Sequence, residues 1–168
     1  MRAALLACLV LAACERTSPS APSDPSPLRL TAAISQSELR PGDTATLTFR
    51  LENTGPDAVK VQFPSACQIM PFIAQPSGTV VYPGGGRWAC AQVLTAISLA
   101  PGGVKIEELR IQGGLSERSS VYGLPAGDYV SYARIDGSYV LQSAPVAFRV
   151  GNSSTTVAID SLLSCDPE

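Results

Sequence analysis

The chain has 168 residues, 45% apolar and only 15% charged, with 14 Gly and 14 Pro. That length accommodates one domain with appendages, and the Gly and Pro content suits short strands joined by turns better than charged helices. Twelve basic side chains oppose 14 acidic ones, so nothing steers the chain toward nucleic acid, and the lack of any histidine excludes Ser-His-Asp and Cys-His catalysis.

Met1-Arg2 and the run AALLACLVLAA make a short basic start followed by about a dozen apolar residues, the length of an export signal and short of the ~18 to 20 needed to span a bilayer. The run ends in Leu11-Ala12-Ala13-Cys14, which resembles the lipobox of bacterial lipoproteins. The resemblance implies a signal peptide over residues 1–13 and a lipidated Cys14 that holds the chain on the membrane by palmitate-like acyl chains. The other reading is an ordinary signal cut at an A-x-A-like site, with Cys14 a plain thiol. Residues Glu15 to Pro27 hold four prolines and five Ser or Thr, a composition that cannot bury apolar area and is expected to serve as an extended tether. Two or three acyl chains on one cysteine hold more firmly than the marginal single chain. Glu15, where the inner-membrane retention signal carries Asp, leans toward the outer membrane.

From Leu28 the period is two. A strand is expected over Leu28 to Ile34, and the next, Thr44 to Glu52, puts Ala45, Leu47, Phe49 and Leu51 on one face with Thr, Arg and Glu on the other. Arg40-Pro41-Gly42-Asp43 and Asn53-Thr54-Gly55-Pro56 bound it as turns. Val59 to Phe63 alternates likewise, and a hairpin with the 44–52 strand is expected. Further strands are expected at Ile69 to Gln75, Thr79 to Tyr82, Ala96 to Leu99, Val104 to Ile111, Asp128 to Ile135 and Val146 to Val150. Apolar parity shifts between Ile106 and Leu109, which predicts a bulge at Glu107-Glu108. Nine short strands over residues 28–150 read as an all-β, immunoglobulin-like antiparallel β-sandwich. The tail 151–168 reads as an edge strand or a docked extension.

Once the strands are placed, a combination stands out: Leu51-Glu52-Asn53-Thr54-Gly55, Val59-Lys60-Val61-Gln62-Phe63-Pro64-Ser65, Gln92-Val93-Leu94-Thr95, Leu99-Ala100-Pro101-Gly102-Gly103 and Leu124-Pro125-Ala126-Gly127-Asp128-Tyr129. In this order it resembles the BsuPI-type intracellular proteinase inhibitor domain. The resemblance covers roughly 28–150 and implies an immunoglobulin-like sandwich and an inhibitor of a protease, though no residue matches a reactive loop. Independently of it, Tyr129 follows a Pro-Ala-Gly turn, where it is either a tyrosine corner, with its ring in the core and its hydroxyl on the turn, or an ordinary half-buried Tyr.

If Cys8 leaves with the leader and Cys14 is acylated, Cys67, Cys90 and Cys165 remain in an oxidising compartment. Cys67 and Cys90 flank one excursion and are expected to pair, contributing about 3 kcal/mol by closing the loop; Cys165 stays free or joins another molecule. With no C-x-x-C spacing, neither metal nor cofactor is expected. Arg87 and Trp88, after Gly84-Gly85-Gly86, form either a binding loop with an aromatic anchor or a cover over the disulfide with Trp88 packed inward. The expected function is that of a non-catalytic, immunoglobulin-like binding module, lipid-anchored in the bacterial envelope, with an envelope or extracellular protein as partner. Proteinase inhibition and envelope assembly are the alternatives. Lys60 and Lys105 are the only lysines and fall on strand faces, which weakens a Ser-Lys dyad, so an enzyme is not expected.

Overall fold

The computed structural model describes residues 26–115 and 120–152. The leader, Cys14, most of the tether, Cys165 and the tail from residue 153 lie outside the described residues, with the expectations attached to them. Twelve strands are described: β1 (Leu28–Ile34), β2 (Glu38–Leu39), β3 (Thr44–Asn53), β4 (Val59–Phe63), β5 (Met70–Ala74), β6 (Val80–Tyr82), β7 (Thr95–Leu99), β8 (Val104–Gly113), β9 (Tyr122–Leu124), β10 (Gly127–Asp136), β11 (Val140–Gln142) and β12 (Val146–Val150).

Alternation becomes a sandwich through which faces are buried. In β3, Leu47, Phe49 and Leu51 are fully buried while Thr46, Thr48 and Arg50 stay partly in solvent; each such apolar side chain contributes about 1.5–3 kcal/mol on leaving water. One sheet has the order β1-β3-β8-β9 and the other β2-β12-β10-β5-β6, with β11 also on β10. Ile73 of β5, Tyr129, Ala133 and Ile135 of β10 and Phe148 of β12 close the core from the second sheet. The chain crosses between the sheets on one side, because β1 pairs antiparallel with β3 while β2, three residues on, pairs parallel with β12. The other side is clasped by aromatics: Tyr82 of β6 meets Tyr122 of β9 edge-on at 4.9 Å, and the Tyr122 hydroxyl donates to the Val81 carbonyl at 2.6 Å. Tyr129 is 2% exposed and its hydroxyl donates to the Pro125 carbonyl at 2.9 Å, so it forms the tyrosine corner. The strand order, the first strand split between sheets and this corner make the fold an immunoglobulin-like all-β sandwich.

Two expectations are corrected. Val59–Phe63 does not pair with the 44–52 strand; β4 pairs with β7, in register from Val59 opposite Leu99 to Phe63 opposite Thr95. Both edges of β3 are already taken, by β1 and β8. The buried Asn53 side chain also turns the chain away, donating to the Asp57 and Leu99 carbonyls at 2.7 and 3.0 Å and accepting from the Gly55 N–H at 3.0 Å. The β4–β7 ribbon instead closes one end of the sandwich, with Val61, Phe63, Ile97 and Leu99 buried beneath it. Nor is there a bulge at Glu107-Glu108: β3 and β8 stay in register from Thr44 opposite Gln112 to Glu52 opposite Val104. Leu109 and Ile111 therefore keep the inner face, and Val104 and Ile106 point outward, 37% and 50% exposed. The short strands Glu38–Leu39, Tyr122–Leu124 and Val140–Gln142 were not expected; two or three residues carry no period.

Candidate functional site

The disulfide marks the site. Cys67 and Cys90 are bonded, with their Cα atoms 5.5 Å apart, at the neck where the chain leaves the β4–β7 ribbon to lend β5 and β6 to the second sheet. Beside it the Ala66 N–H donates to the Ala91 carbonyl at 3.0 Å, and the Thr95 hydroxyl donates to the Ser65 carbonyl at 2.8 Å. The neck is thus closed by one covalent and two hydrogen-bonded ties. Under it opens a groove of about 220 Å³ lined by Cys67, Gln68, Ile69 and Trp88 on the strap side and by Lys105 and Glu107 on β8.

Trp88 is held rather than free. Its indole N–H donates to the Pro71 carbonyl at 3.1 Å, and its ring meets Tyr82 edge-on at 5.6 Å. Half-buried, it lines the groove together with Cys67, as the inward-packed reading has it. Arg87, one residue earlier, is exposed and forms no ion pair among the described residues. The residues before it make a tight turn in which the Gly86 N–H donates to the Pro83 carbonyl at 2.8 Å, and Gly85 and Gly86 both take φ of 72°, a left-handed conformation that favours glycine. The Gly run is therefore a fixed turn that sets Arg87 outward and Trp88 inward.

Electrostatics at the groove come from β8. With no bulge, Lys105 and Glu107 share the inner face, where they lie opposite the fully buried Leu51 and Phe49, while Glu108 points to the other side. Burial raises the Tyr82 hydroxyl above its ordinary pKa, and the charge of Glu107 and the neighbouring Tyr122 add to it. Glu107 and Glu108 offer no carboxylate pair, and among the described residues no group of three Cys, Asp or Glu is placed to hold a metal. Lys60 lies on the outer face of the ribbon, beside a shallow groove with Gln62 and Leu94. Sequence reasoning found Cys67, Cys90, Arg87 and Trp88 but missed Lys105 and Glu107 as the groove's wall. The usable signal was parity: Leu109 and Ile111 already put both charges on the inward side.

No family model and no curated protein matches the chain. Among solved structures it is similar to the CARDB domain of the PF1109 protein from Pyrococcus furiosus, at 13% identity and a TM-score of 0.41 over 74% of this chain and 90% of that one. It is also similar to the β-glucosidase EmGH1 from Erythrobacter marinus, at 12% identity and a TM-score of 0.40, and to the alkylpurine DNA glycosylase AlkC from Pseudomonas fluorescens, at 16% and 0.41. The chain covers 73% and 75% of its own length in these two matches but spans only 15% of the glucosidase and 31% of the glycosylase. At such scores the likenesses carry no conclusion about activity, and the fold rests on strand order and burial.

Proposed function

We propose that the chain is an extracytoplasmic lipoprotein, held on the bacterial membrane through Cys14, whose sandwich is a non-catalytic module that binds an envelope protein at the disulfide strap. The Cys67–Cys90 bridge carries this reading. A disulfide belongs to an oxidising compartment, which agrees with the export signal and the LAAC lipobox, and this one holds an exposed cation, Arg87, on a rigid turn beside a groove. The net charge of −2 argues against a nucleic-acid partner, and Glu15 favours the outer membrane. With no histidine in the chain and Lys105 and Glu107 both exposed on an open wall, the site is suited to recognition. The BsuPI-type sequence order favours a second reading, in which the strap is presented to a protease.

Feeding cells a palmitate analogue tests the anchor: labelling is expected in the wild type and absent in Cys14→Ala, and equal labelling would refute it. Affinity capture from envelope extract tests the module. A partner held by the wild-type chain and lost with Arg87→Glu is expected, whereas equal capture by both would remove the strap from the interface. Loss of a serine protease's activity at micromolar chain would select the inhibitor reading.

A further inference from the structure

The phase of β8's hydrogen bonds shows which of its main-chain groups are left over. At one end the Asn53 N–H donates to the Gly103 carbonyl at 3.0 Å, and at the other the Gly113 N–H donates to the Asp43 carbonyl at 2.9 Å. The odd-numbered residues of β8 therefore bond to β3, and the N–H and C=O groups of Val104, Ile106, Glu108 and Arg110 point to the opposite edge. There β9 pairs only with Ile111, Gln112 and Gly113. Among the described residues no main-chain partner meets the rest of that edge. It is exposed, with two large apolar side chains on the outer face and, on the groove side, Lys105 and Glu107, neither in an ion pair among the described residues.

We infer that this edge pairs with a second copy of the chain, antiparallel, about a twofold axis through Ile106. Inward-pointing charges ordinarily guard an edge against indiscriminate pairing, because an arriving strand must bring the complementary charge. In an antiparallel pair centred on Ile106 it does. Lys105 lies opposite the partner's Glu107 and Glu107 opposite the partner's Lys105, Ile106 meets the partner's Ile106, and Val104 meets the partner's Glu108. Registers centred on Lys105, Glu107 or Glu108 set like charges opposite one another. The residues that oppose those three registers thus favour this one, and the patch is self-complementary, as a twofold interface requires.

The pairing is short, on the order of six main-chain hydrogen bonds, and well below the area of a stable soluble dimer. Confinement to one membrane, if the anchor proposed above holds, supplies the missing effective concentration. The geometry permits it: Leu28 lies opposite Asn53, and Asn53 hydrogen-bonds to Gly103, so each chain start lies within about 20 Å of the axis at ordinary strand spacing. The two sandwiches extend away from the axis in opposite directions, and the 13 residues from Glu15 to Pro27 reach up to about 45 Å.

Cross-linking of the full chain in its own membrane tests the register, in a Cys165→Ser background. Ile106→Cys places two thiols opposite each other at a Cα separation of about 5.5 Å, within disulfide reach, and mild oxidation is expected to yield a disulfide-linked dimer on a non-reducing gel. Glu108→Cys, whose twin lies about 14 Å away along the strands, should give at most about a tenth of that yield. Adding Lys105→Glu to Ile106→Cys should lower the yield at least about fivefold by opposing like charges, and adding Glu107→Lys as well should restore it. An intact Cys67–Cys90 bond, read by thiol alkylation, shows that each variant is folded. Equal yields from Ile106→Cys and Glu108→Cys, no rescue by the charge exchange, or a cross-link to a different protein would each overturn the inference. Capture of an envelope partner by an Ile106→Glu chain, which opposes like charges at the axis from the face turned away from the groove, tests the binding module separately, whatever the dimer does.

Discussion

Asn53 shows how much one polar side chain can organise. It is fully buried, yet each of its polar atoms is used: the amide nitrogen holds the Asp57 and Leu99 carbonyls, the amide oxygen takes the Gly55 N–H, and its main chain is bonded to Gly102 and Gly103. The strand-ending Asn-Thr-Gly is thus a pin that fastens the turn after β3 to the turn before β8. Asn53→Ala removes three hydrogen bonds and leaves the buried Leu99 carbonyl without its amide donor, so a loss of about 3 kcal/mol is expected; a lower denaturant midpoint at unchanged m-value would show it. Charges at the surface set the pH limits. The Arg29 guanidinium at 2.6 Å and that of Arg50 hold Glu52 below the ordinary carboxylate range, and Arg149 at 2.6 Å does the same for Asp128. A carboxylate with a depressed folded pKa contributes stability that is present above its unfolded value and lost as pH falls through the folded one. Tyr82 and Tyr129 behave oppositely: burial raises both hydroxyls, so their contribution is present below the unfolded pKa and lost as pH rises through the folded one. A plateau in thermal midpoint is expected from about pH 5 to pH 9, falling on both sides; salt should flatten the acid side, because those pairs are exposed. An acid limb indifferent to salt would contradict this.

Among the elements, the strap carries the clearest expectation. Its bridge spans 23 residues of sequence and ties the β4–β7 ribbon to the start of β5, so Cys67→Ser with Cys90→Ser should lose about 3 kcal/mol by the loop-closure argument. The ordering of the groove is also expected to suffer, visible as faster amide exchange at Gln68 and Ile69, with β1 and β3 unchanged. This bridge was legible from arithmetic alone, because the two cysteines flank one excursion. The strands over Leu28–Ile34, Val59–Phe63 and Val146–Val150 were legible to the residue, since apolar side chains at period two have one buried face. The partner of Val59–Phe63 was not. Alternation specifies a strand's face but is silent on its neighbour, and here the neighbour followed from β3 having no free edge. The expected bulge in β8 failed for a related reason: it assumed that every inward position is covered, whereas Lys105 and Glu107 face an open groove.

At the scale of the molecule, the sandwich is closed differently at each margin. Aromatics clasp β6 to β9, a shared strand joins the sheets at β1 and β2, the ribbon of β4 and β7 lids one end, and β8 keeps an open edge. The class of fold was legible because composition, turn spacing and alternation all favoured strands. The groove and the open edge arise only once the two sheets and the strap are in place, from residues as far apart in sequence as Cys67 and Glu107, so local parity marks the side on which Lys105 and Glu107 lie but not what faces them. The lid depends on a close approach as well. The Ser138 N–H donates to the Gln62 carbonyl at 2.8 Å, and a Cβ on Gly137 would collide with that oxygen, so the tip between β10 and β11 reaches β4 only with glycine there. The Pro27 carbonyl is gripped by the Thr54 N–H and hydroxyl at 2.7 and 3.1 Å, and β1 then runs along β3 through seven paired residues. A pull arriving through residue 26 along the strand axis loads those seven pairs together, in shear, and cannot peel them one at a time. Tension along that axis is therefore met as a shear load shared across β1 and β3, which part only when all seven pairs yield together.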